Sequence, residues 1–342
     1  MKDAKAFEVN EQDSRNKGTW INDRNASITF GILVDMWLQQ NPGKRQKSLD
    51  RDIGILNKHL LPILRNRPLS TIMKSEIQTL VNTWTGNGLK PRTIQRHIAV
   101  LKAIFQKALD DDLLNKSPVR AIKIPKAEPI AHHPLDEDEV ARLLEAVDTF
   151  YRPLLYIFLT TGLRWSELVG LQIRDVTLIG NSPELRVERG LHNTSKGFKF
   201  EAPKSNAGKR TWPLSQQQVA SIASHIATTE RTGADGEEPL FVSPNGHILI
   251  YSNFRTRIFL PALKKAGIPK ATIHDIRRTT ATVLVAEQVD HKTIQELMGH
   301  ADIRTTLNLY ASATPQGRKR ASEALQAFVG AHSESIPHAS SS

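Results

Sequence analysis

The sequence has no cysteine, and this absence removes two classes of site. Without thiols the 342-residue chain can form neither a disulfide framework nor a metal centre with thiolate ligands. It also has no apolar run long enough to cross a bilayer. Its first fifteen residues are polar and charged, and they lack the apolar core of a secretory signal. We therefore expect a cytoplasmic protein that has no membrane partner.

Acidic residues are few beside basic ones, and the imbalance is concentrated in one region. The whole chain carries 46 Lys and Arg against 35 Asp and Glu, a formal net charge of +11. Residues 28–126 alone hold 17 Lys and Arg against 7 Asp and Glu, a net charge of +10. A surface that is basic only for solubility would spread this charge more evenly, although that reading stays open here. The asymmetry predicts a domain that binds a polyanion, with nucleic acid as the favoured partner.

Four amphipathic helices are predicted in this basic region. Thr29 is suited to cap the first, and Pro91 stands where proline is favoured, in the first turn of the fourth. Pro62 is expected to kink or split the second helix. The pattern predicts a small helical bundle whose outer face is basic. The side chains predicted to contact nucleic acid are Lys90, Arg92, Arg96, Lys102, Lys116, Lys123 and Lys126.

The remaining patterns divide the chain into further segments. Asp136 and Glu139 form a capping-box pattern at the start of a second domain. Short β-prone runs between Asp175 and Leu214, separated by Gly, Asn and Ser, predict a small antiparallel sheet. The fold class is therefore mainly α with a small antiparallel β-sheet in the second domain. The predicted segments are a mobile arm (1–27), the basic helical domain (28–114), a basic linker with prolines (115–133), the second domain (134–312), a C-terminal helix (313–330) and a disordered tail (331–342).

Groups suited to a phosphodiester are concentrated in residues 272–310. His274 and Arg277 are three apart, so they share one face of a helix. His300 follows a glycine placed to end a helix, and Tyr310 comes ten residues later. A guanidinium clamps non-bridging phosphate oxygens, imidazoles hydrogen-bond or move protons, and a phenol can attack phosphorus. Each of these residues also has an ordinary structural explanation, so the interpretation depends on partners elsewhere.

Two earlier motifs supply candidate partners. Arg164 stands at a predicted junction of two helices, and Glu167, one turn further on, is able to orient it. A buried Arg–Glu pair with a purely structural role is the alternative for these two residues. Lys204 lies in a predicted hairpin, residues 202–210, where an exposed lysine is usually inert. It becomes a candidate only together with the other groups.

Five elements in chain order resemble motifs of the tyrosine recombinases, the phage-integrase-like enzymes of DNA strand exchange. They read T-G-L-R-W-S-E-L, P-K-S-N-A-G-K-R-T-W-P-L, H-D-I-R-R-T, L-M-G-H and A-D-I-R-T-T-L-N-L-Y. Each motif is weak alone, but their order and spacing are specific, and the resemblance extends from Ile28 to about Ala311. Within the fourth motif Met298 replaces the usual Leu. The resemblance implies a helical core-binding domain followed by an α+β integrase catalytic domain.

The resemblance assigns the nucleophile and the phosphate clamp. Tyr310 would form a 3′-phosphotyrosine and release a 5′-hydroxyl. Rejoining would need no ATP, because the covalent link retains the energy of the broken bond. Arg164 and Arg277 would stabilise the non-bridging oxygens of the transition state, with Glu167 supporting Arg164.

The same resemblance assigns the groups that move protons. Lys204 would protonate the leaving 5′-oxygen, and Lys209 is the competing choice because alignments of this segment can slip. His274 would handle the proton of Tyr310, and His300 would donate to the phosphate. Two arginines and a lysine would replace a divalent metal ion, so we expect neither a metal nor a cofactor.

The partners that the resemblance implies are double-stranded DNA at attachment or recombination sites, a homotetramer on two such sites, and DNA-bending accessory proteins. Similar enzymes exchange a C-terminal helix between protomers, a role that residues 313–330 would take. The 27 residues before Ile28 are too few for the arm-binding domain that many phage integrases carry. The resemblance favours a site-specific DNA recombinase, integrative or excisive, over three rival functions: a type IB topoisomerase, a catalytically silent DNA-binding regulator, and a metalloenzyme that uses His274 and Asp275.

Overall fold

The computed structural model describes residues 28–41, 43–128, 132–203, 206–230, 236–311 and 323. They form two compact units, one of residues 28–128 with Thr194–Lys196 and one of residues 132–193 and 197–311. In the described ranges no helix has both the length and the apolar character needed to cross a membrane. The predicted arm (1–27) and, apart from Glu323, the predicted C-terminal helix and tail (313–342) lie outside these ranges.

The first unit is a bundle of helices with its own apolar core. Thr29 caps the first helix by accepting a hydrogen bond from the Ile32 amide at 3.4 Å, and Pro91 begins the last, as the sequence predicts. A π-type turn, Leu56–Leu60, interrupts the second helix just before Pro62, which has no amide hydrogen to continue the α-helical pattern. The helices are α1 (Phe30–Gln39), α2 (Gln46–Ile55), α3 (Leu61–Leu64), α4 (Lys74–Gly86) and α5 (Pro91–Asp110).

The segment that follows α5 packs against the bundle. Val119 is buried in the core, and Ile122 and Ile124 pack against it. The side chain of Gln78 in α4 accepts from the Lys123 amide at 2.9 Å and donates to the Lys123 carbonyl at 3.0 Å. The first part of the predicted linker is therefore fixed on α4 by apolar and backbone contacts.

The second unit surrounds a central helix with a larger core. Asp136 caps its first helix by accepting from the Glu139 amide at 2.8 Å, which confirms the predicted capping box. The helices are α6 (Glu137–Ala146), α7 (Arg152–Thr161), α8 (Trp165–Leu168), α9 (Gln216–Thr228), α10 (Tyr251–Phe254), α11 (Leu260–Lys265), α12 (Ile273–Ala286), α13 (His291–Met298) and α14 (Ile303–Ala311). α7 lies at the centre and packs on α9 and α12.

The strands form two small sheets. β1 (Val176–Thr177), β2 (Glu184–Val187) and β5 (Arg210–Pro213) pair antiparallel in the order β1-β2-β5, while β3 (Gly190–Thr194) pairs with β4 (Gly197–Glu201). The mainly α fold with small antiparallel sheets is confirmed. The predicted hairpin over residues 202–210 is wrong, because the segment joins β4 to β5, which pair with different strands. Periodicity marks a strand but does not identify its partner.

Candidate active site

Arg164 is positioned by the break between two helices. Gly162 ends α7 in the left-handed conformation, with φ 57°, and Arg164 is the N-terminal cap of α8. The Arg164 Nη1 donates to Glu167 Oε1 at 2.7 Å, and its amide donates to Glu167 Oε2 at 2.9 Å. The Arg164 Nη2 donates to the carbonyl of Gly299 at 2.7 Å. The guanidinium thus joins α8 to the turn that follows α13.

Arg277 lies deep in the same site. It is only 4% exposed, and its Nη1 donates to the Gly162 carbonyl at 2.7 Å while its Nη2 donates to the Met298 carbonyl. Burial, followed by the charge of Arg164, lowers the pKa of Arg277 to about 9. The guanidinium is therefore a cation at neutral pH, held by backbone carbonyls of two separate turns.

His300 follows the left-handed turn at Gly299, where φ is 61°. The imidazole is 8% exposed, and its Nδ1 lies 2.9 Å from Thr306 Oγ1 in α14. Burial, followed by the charges of Arg277, Arg164 and Arg210, lowers its pKa to about 4. The ring is thus neutral near pH 7, whereas an exposed histidine, whose pKa is about 6.5, is still partly protonated there.

His274 and Asp275 occupy the first turn of α12 but have different surroundings. His274 is exposed at the surface, and its pKa is lowered by partial burial of the ring and then by the charges of Arg278 and Arg277. Asp275 is buried and accepts from both the amide and the hydroxyl of Thr272, at 2.8 and 2.7 Å. The carboxylate that the metal-ion alternative required is therefore used to cap the helix.

The residues predicted as nucleophile and general acid, Tyr310 and Lys204, are described in part or not at all. Tyr310 lies in the last turn of α14, one turn beyond Thr306, and its side chain falls outside what the structure describes. α14 packs on α12, which carries Arg277, and on α13, which ends at the turn at Gly299. Lys204 lies outside the described residues. Lys209 is exposed, with its Nζ 3.5 Å from Glu188 Oε2.

The predicted nucleic-acid contacts in the first unit are accessible. Lys107, which shares α5 with Arg92, Arg96 and Lys102, differs because it pairs with Asp111 and is only 10% exposed. Their exposure leaves the basic side chains able to meet a polyanion. The exposed residues are Lys90, Arg92, Arg96, Lys102, Lys116, Lys123 and Lys126.

Arg210 is part of the site although the sequence did not single it out. It is the first residue of β5, and its Nη2 donates to Glu167 Oε2 at 2.8 Å while its Nε donates to the Leu297 carbonyl at 2.7 Å. A cleft of about 370 Å³ opens beside it, lined among others by Lys209, Lys292 and His300. In the sequence Arg210 is one of two adjacent basic residues in a polar segment, a pattern that usually indicates an exposed surface.

Comparisons with known proteins agree on one family. The model of the phage integrase family matches residues 133–316, and that of its N-terminal SAM-like domain matches residues 29–85. The prophage phiRv2 integrase of Mycobacterium tuberculosis is 26% identical over 310 residues, covering 89% of this chain and 80% of the relative. A XerC-like tyrosine recombinase of Caldanaerobacter subterraneus is 28% identical over 326 residues, covering 87% and 83%. The Tn1549 transposon integrase, solved with a circular-intermediate DNA, superposes with a TM-score of 0.72 at 25% identity, covering 87% of this chain and 100% of that one.

Proposed function

The chain belongs to the phage integrase family, and on that premise we propose how this tyrosine recombinase cleaves and rejoins DNA. Tyr310 attacks a phosphodiester of double-stranded DNA, forms a 3′-phosphotyrosine and releases a 5′-hydroxyl. The hydroxyl of a second strand then attacks the phosphotyrosine and displaces Tyr310. Neither step consumes ATP, since each exchanges one phosphate ester for another.

Arg164 and Arg277 bind the non-bridging oxygens of the reacting phosphate. Both guanidiniums are held by backbone carbonyls, so their orientation is fixed before DNA arrives. A guanidinium has five N–H donors, and these carbonyl contacts leave others for a phosphate. Among the described residues, the site with Arg210 holds three guanidiniums and the carboxylate of Glu167, and this positive excess matches a phosphodiester whose charge grows in the transition state.

The two histidines act as neutral imidazoles. Since the pKa of His300 is about 4, the ring is neutral, and we assign the Thr306 hydroxyl as the donor to Nδ1, which leaves the ring proton on Nε2 for a non-bridging oxygen. His274, whose pKa is also lowered, is able to accept the proton of Tyr310. The approach of an anionic phosphate raises the pKa of both rings, which favours the protonated form as the reaction proceeds.

The observation that carries this proposal is the convergence of Arg164, Arg277 and His300 on the turns at Gly162 and Gly299. Covalent capture tests it. The full chain is incubated with duplexes that contain a random central segment, protein-linked DNA is isolated under denaturing conditions, and the captured strands are sequenced. We expect one preferred sequence with a 3′-linked protein. Captured DNA without sequence preference, or no captured DNA, would contradict a site-specific recombinase.

Substitution of Lys204 tests the general acid. Lys204→Ala is expected to slow cleavage at least ~100-fold on ordinary DNA, because the 5′-oxygen leaves poorly without a proton. A 5′-bridging phosphorothiolate should restore the rate, since sulfur leaves without protonation. Lys209→Ala is the matched control and should behave as wild type on both substrates. Rescue of Lys209→Ala instead of Lys204→Ala would transfer the role to Lys209.

Truncation after Ser312 separates DNA binding from assembly. We propose that the basic face of the first unit binds the DNA backbone and that residues 313–330 link four protomers on two sites. The truncated chain should then bind a single captured site with the same affinity as the full chain. For both chains, that affinity should fall roughly 1,000-fold or more between 50 and 200 mM salt if the protein neutralises six or more phosphates. It should fail to pair two sites or recombine them. Recombination by the truncated chain, measured without added DNA-bending proteins, would remove both the tail and those proteins from the account.

A further inference from the structure

Arg210 sends its guanidinium into the active site and uses every nitrogen to bind protein. Nε donates to the Leu297 carbonyl at 2.7 Å, Nη1 to the Gly208 carbonyl at 3.0 Å and Nη2 to Glu167 Oε2 at 2.8 Å. The side chain is 6% exposed. Such a guanidinium is far less available to DNA than that of Arg164, which is 41% exposed. Any influence of Arg210 on the reaction therefore passes through the groups that it holds.

The first of these groups is Glu167, which lies between two guanidiniums. Its Oε1 accepts from Arg164 Nη1 and its Oε2 from both Arg210 Nη2 and the Arg164 amide. Burial opposes ionisation of this carboxyl, but the hydrogen bond and charge of Arg210, followed by the charge of Arg164, lower its pKa below the usual value. Arg210 thus keeps Glu167 ionised and fixes its Oε2, while Oε1 stays on the Arg164 guanidinium.

The second group is the turn that leads to His300. Arg210 holds the carbonyl of Leu297, in the last turn of α13, and packs directly against Gly299. A Cβ at Gly299 would lie 2.7 Å from Arg210 Nη1, closer than real Cβ contacts, and 3.1 Å from the Ala207 carbonyl oxygen, which is also a tight contact. The turn thus needs glycine to accommodate Arg210 as well as for its positive φ. The carbonyl of the same glycine holds Arg164.

We propose that Arg210 is a positioning residue for strand cleavage, which sets the Arg164 guanidinium through Glu167 and the His300 imidazole through the turn at Gly299. This inference rests on the proposed function. Arg210 connects β5, α8 and the end of α13, three elements that approach one another only in the folded protein. A planar fork suits this task because its donors diverge in fixed directions, whereas an ammonium is a single point of charge.

Single-turnover cleavage of the captured duplex tests the proposal with the full chain. Arg210→Lys should reduce the cleavage rate about 10-fold and Arg210→Ala about 100-fold, because a displacement of the Arg164 guanidinium by about 1 Å has effects of up to that size. The DNA dissociation constant should stay within about threefold, since no phosphate contact is lost. Arg186→Ala is the matched control, an exposed arginine on the neighbouring strand β2, and should cleave at the wild-type rate.

The pH dependence distinguishes positioning from a structural role. In the described part of the chain, the charged groups that act on the His300 pKa are Arg277 on α12, Arg164 and Glu167 at α8, and Arg210 on β5, while Lys209, Lys292 and Glu296 line the cleft beside the ring. Removing the Arg210 cation raises the pKa of both His300 and Glu167, so the acid limb of the cleavage profile should move to higher pH in Arg210→Ala. Histidine NMR titration should show the same upward shift of the His300 pKa without any need for cleavage. Unchanged pKa and unchanged rates would overturn the proposal.

A double substitution covers the case in which Arg210→Ala fails to fold because the buried carboxylate of Glu167 loses one of its two guanidinium partners. Arg210→Ala combined with Glu167→Gln removes both charges. If Arg210 acts through Glu167, the pair should cleave no more slowly than the slower single variant. Multiplied effects would show that the two residues act independently and would overturn the proposal. A wild-type chain that forms no covalent adduct would refute the proposed function, while the NMR titration would still decide the role of Arg210.

Discussion

Replacing Tyr310 by Phe is expected to abolish covalent attachment to DNA completely. No phosphotyrosine can form without the phenolic oxygen. Affinity for the captured duplex should change by less than about threefold, because one hydroxyl contributes little beside many phosphate contacts. Denaturing electrophoresis of labelled duplex measures the adduct, and a gel-shift titration measures the affinity.

Tyr251→Phe is the matched control for this experiment. Tyr251 is 44% exposed and its ring meets Trp165 edge-on, so loss of its hydroxyl leaves the site intact. This variant should form adduct at the wild-type rate. An adduct in Tyr310→Phe would show that another residue is the nucleophile. Loss of the adduct in Tyr251→Phe would likewise contradict the assignment of the nucleophile to Tyr310.

Arg277→Lys is expected to reduce the cleavage rate about 1,000-fold, the upper range for loss of one transition-state donor. Lysine preserves the charge, but a single ammonium cannot bind the Gly162 and Met298 carbonyls and still present a fork to the phosphate. The melting temperature should also fall, because a buried carbonyl that loses its donor costs about 1–3 kcal/mol. Single-turnover cleavage at saturating DNA separates the chemical defect from weaker binding.

Arg278→Lys provides the control on the same helix. Arg278 Nε lies 3.8 Å from Asp275 Oδ1. In the described part of the chain, Arg278 has no hydrogen bond to the turn at Gly162 or to the turn at Gly299. Its charge acts on His274, and lysine retains that charge. We expect a cleavage rate within about threefold of wild type. Equal losses in Arg277→Lys and Arg278→Lys would mean that general damage to α12, and not the phosphate clamp, explains the defect.

Local signals in the sequence predicted the frame of the site. A helix cap or a left-handed turn is decided by residues within one helical turn, so it can be predicted from the local sequence. This holds for the caps at Thr29 and Asp136 and for the helix ends at Gly162 and Gly299. The junctions that carry Arg164 and His300 could therefore be placed from the sequence alone.

The contacts that complete the site depend on residues far apart in the chain. Arg210 reaches Leu297 across 87 positions, and Gln78 reaches Lys123 across 45. Neither periodicity nor a motif encodes which distant carbonyl a buried arginine will meet. For the same reason the predicted hairpin between β4 and β5 is wrong, although the sequence predicts most of the strands themselves.

The most direct test of the account is to identify the amino acid that carries the DNA. The captured complex is digested with nuclease and trypsin, and the modified peptide is fragmented by mass spectrometry. The account predicts a nucleotide joined through its 3′-phosphate to Tyr310, within the tryptic peptide of residues 305–318. That peptide also contains Thr306 and Ser312, which fragmentation distinguishes from Tyr310. A nucleotide on any other residue, or one attached through its 5′-phosphate, would contradict the mechanism.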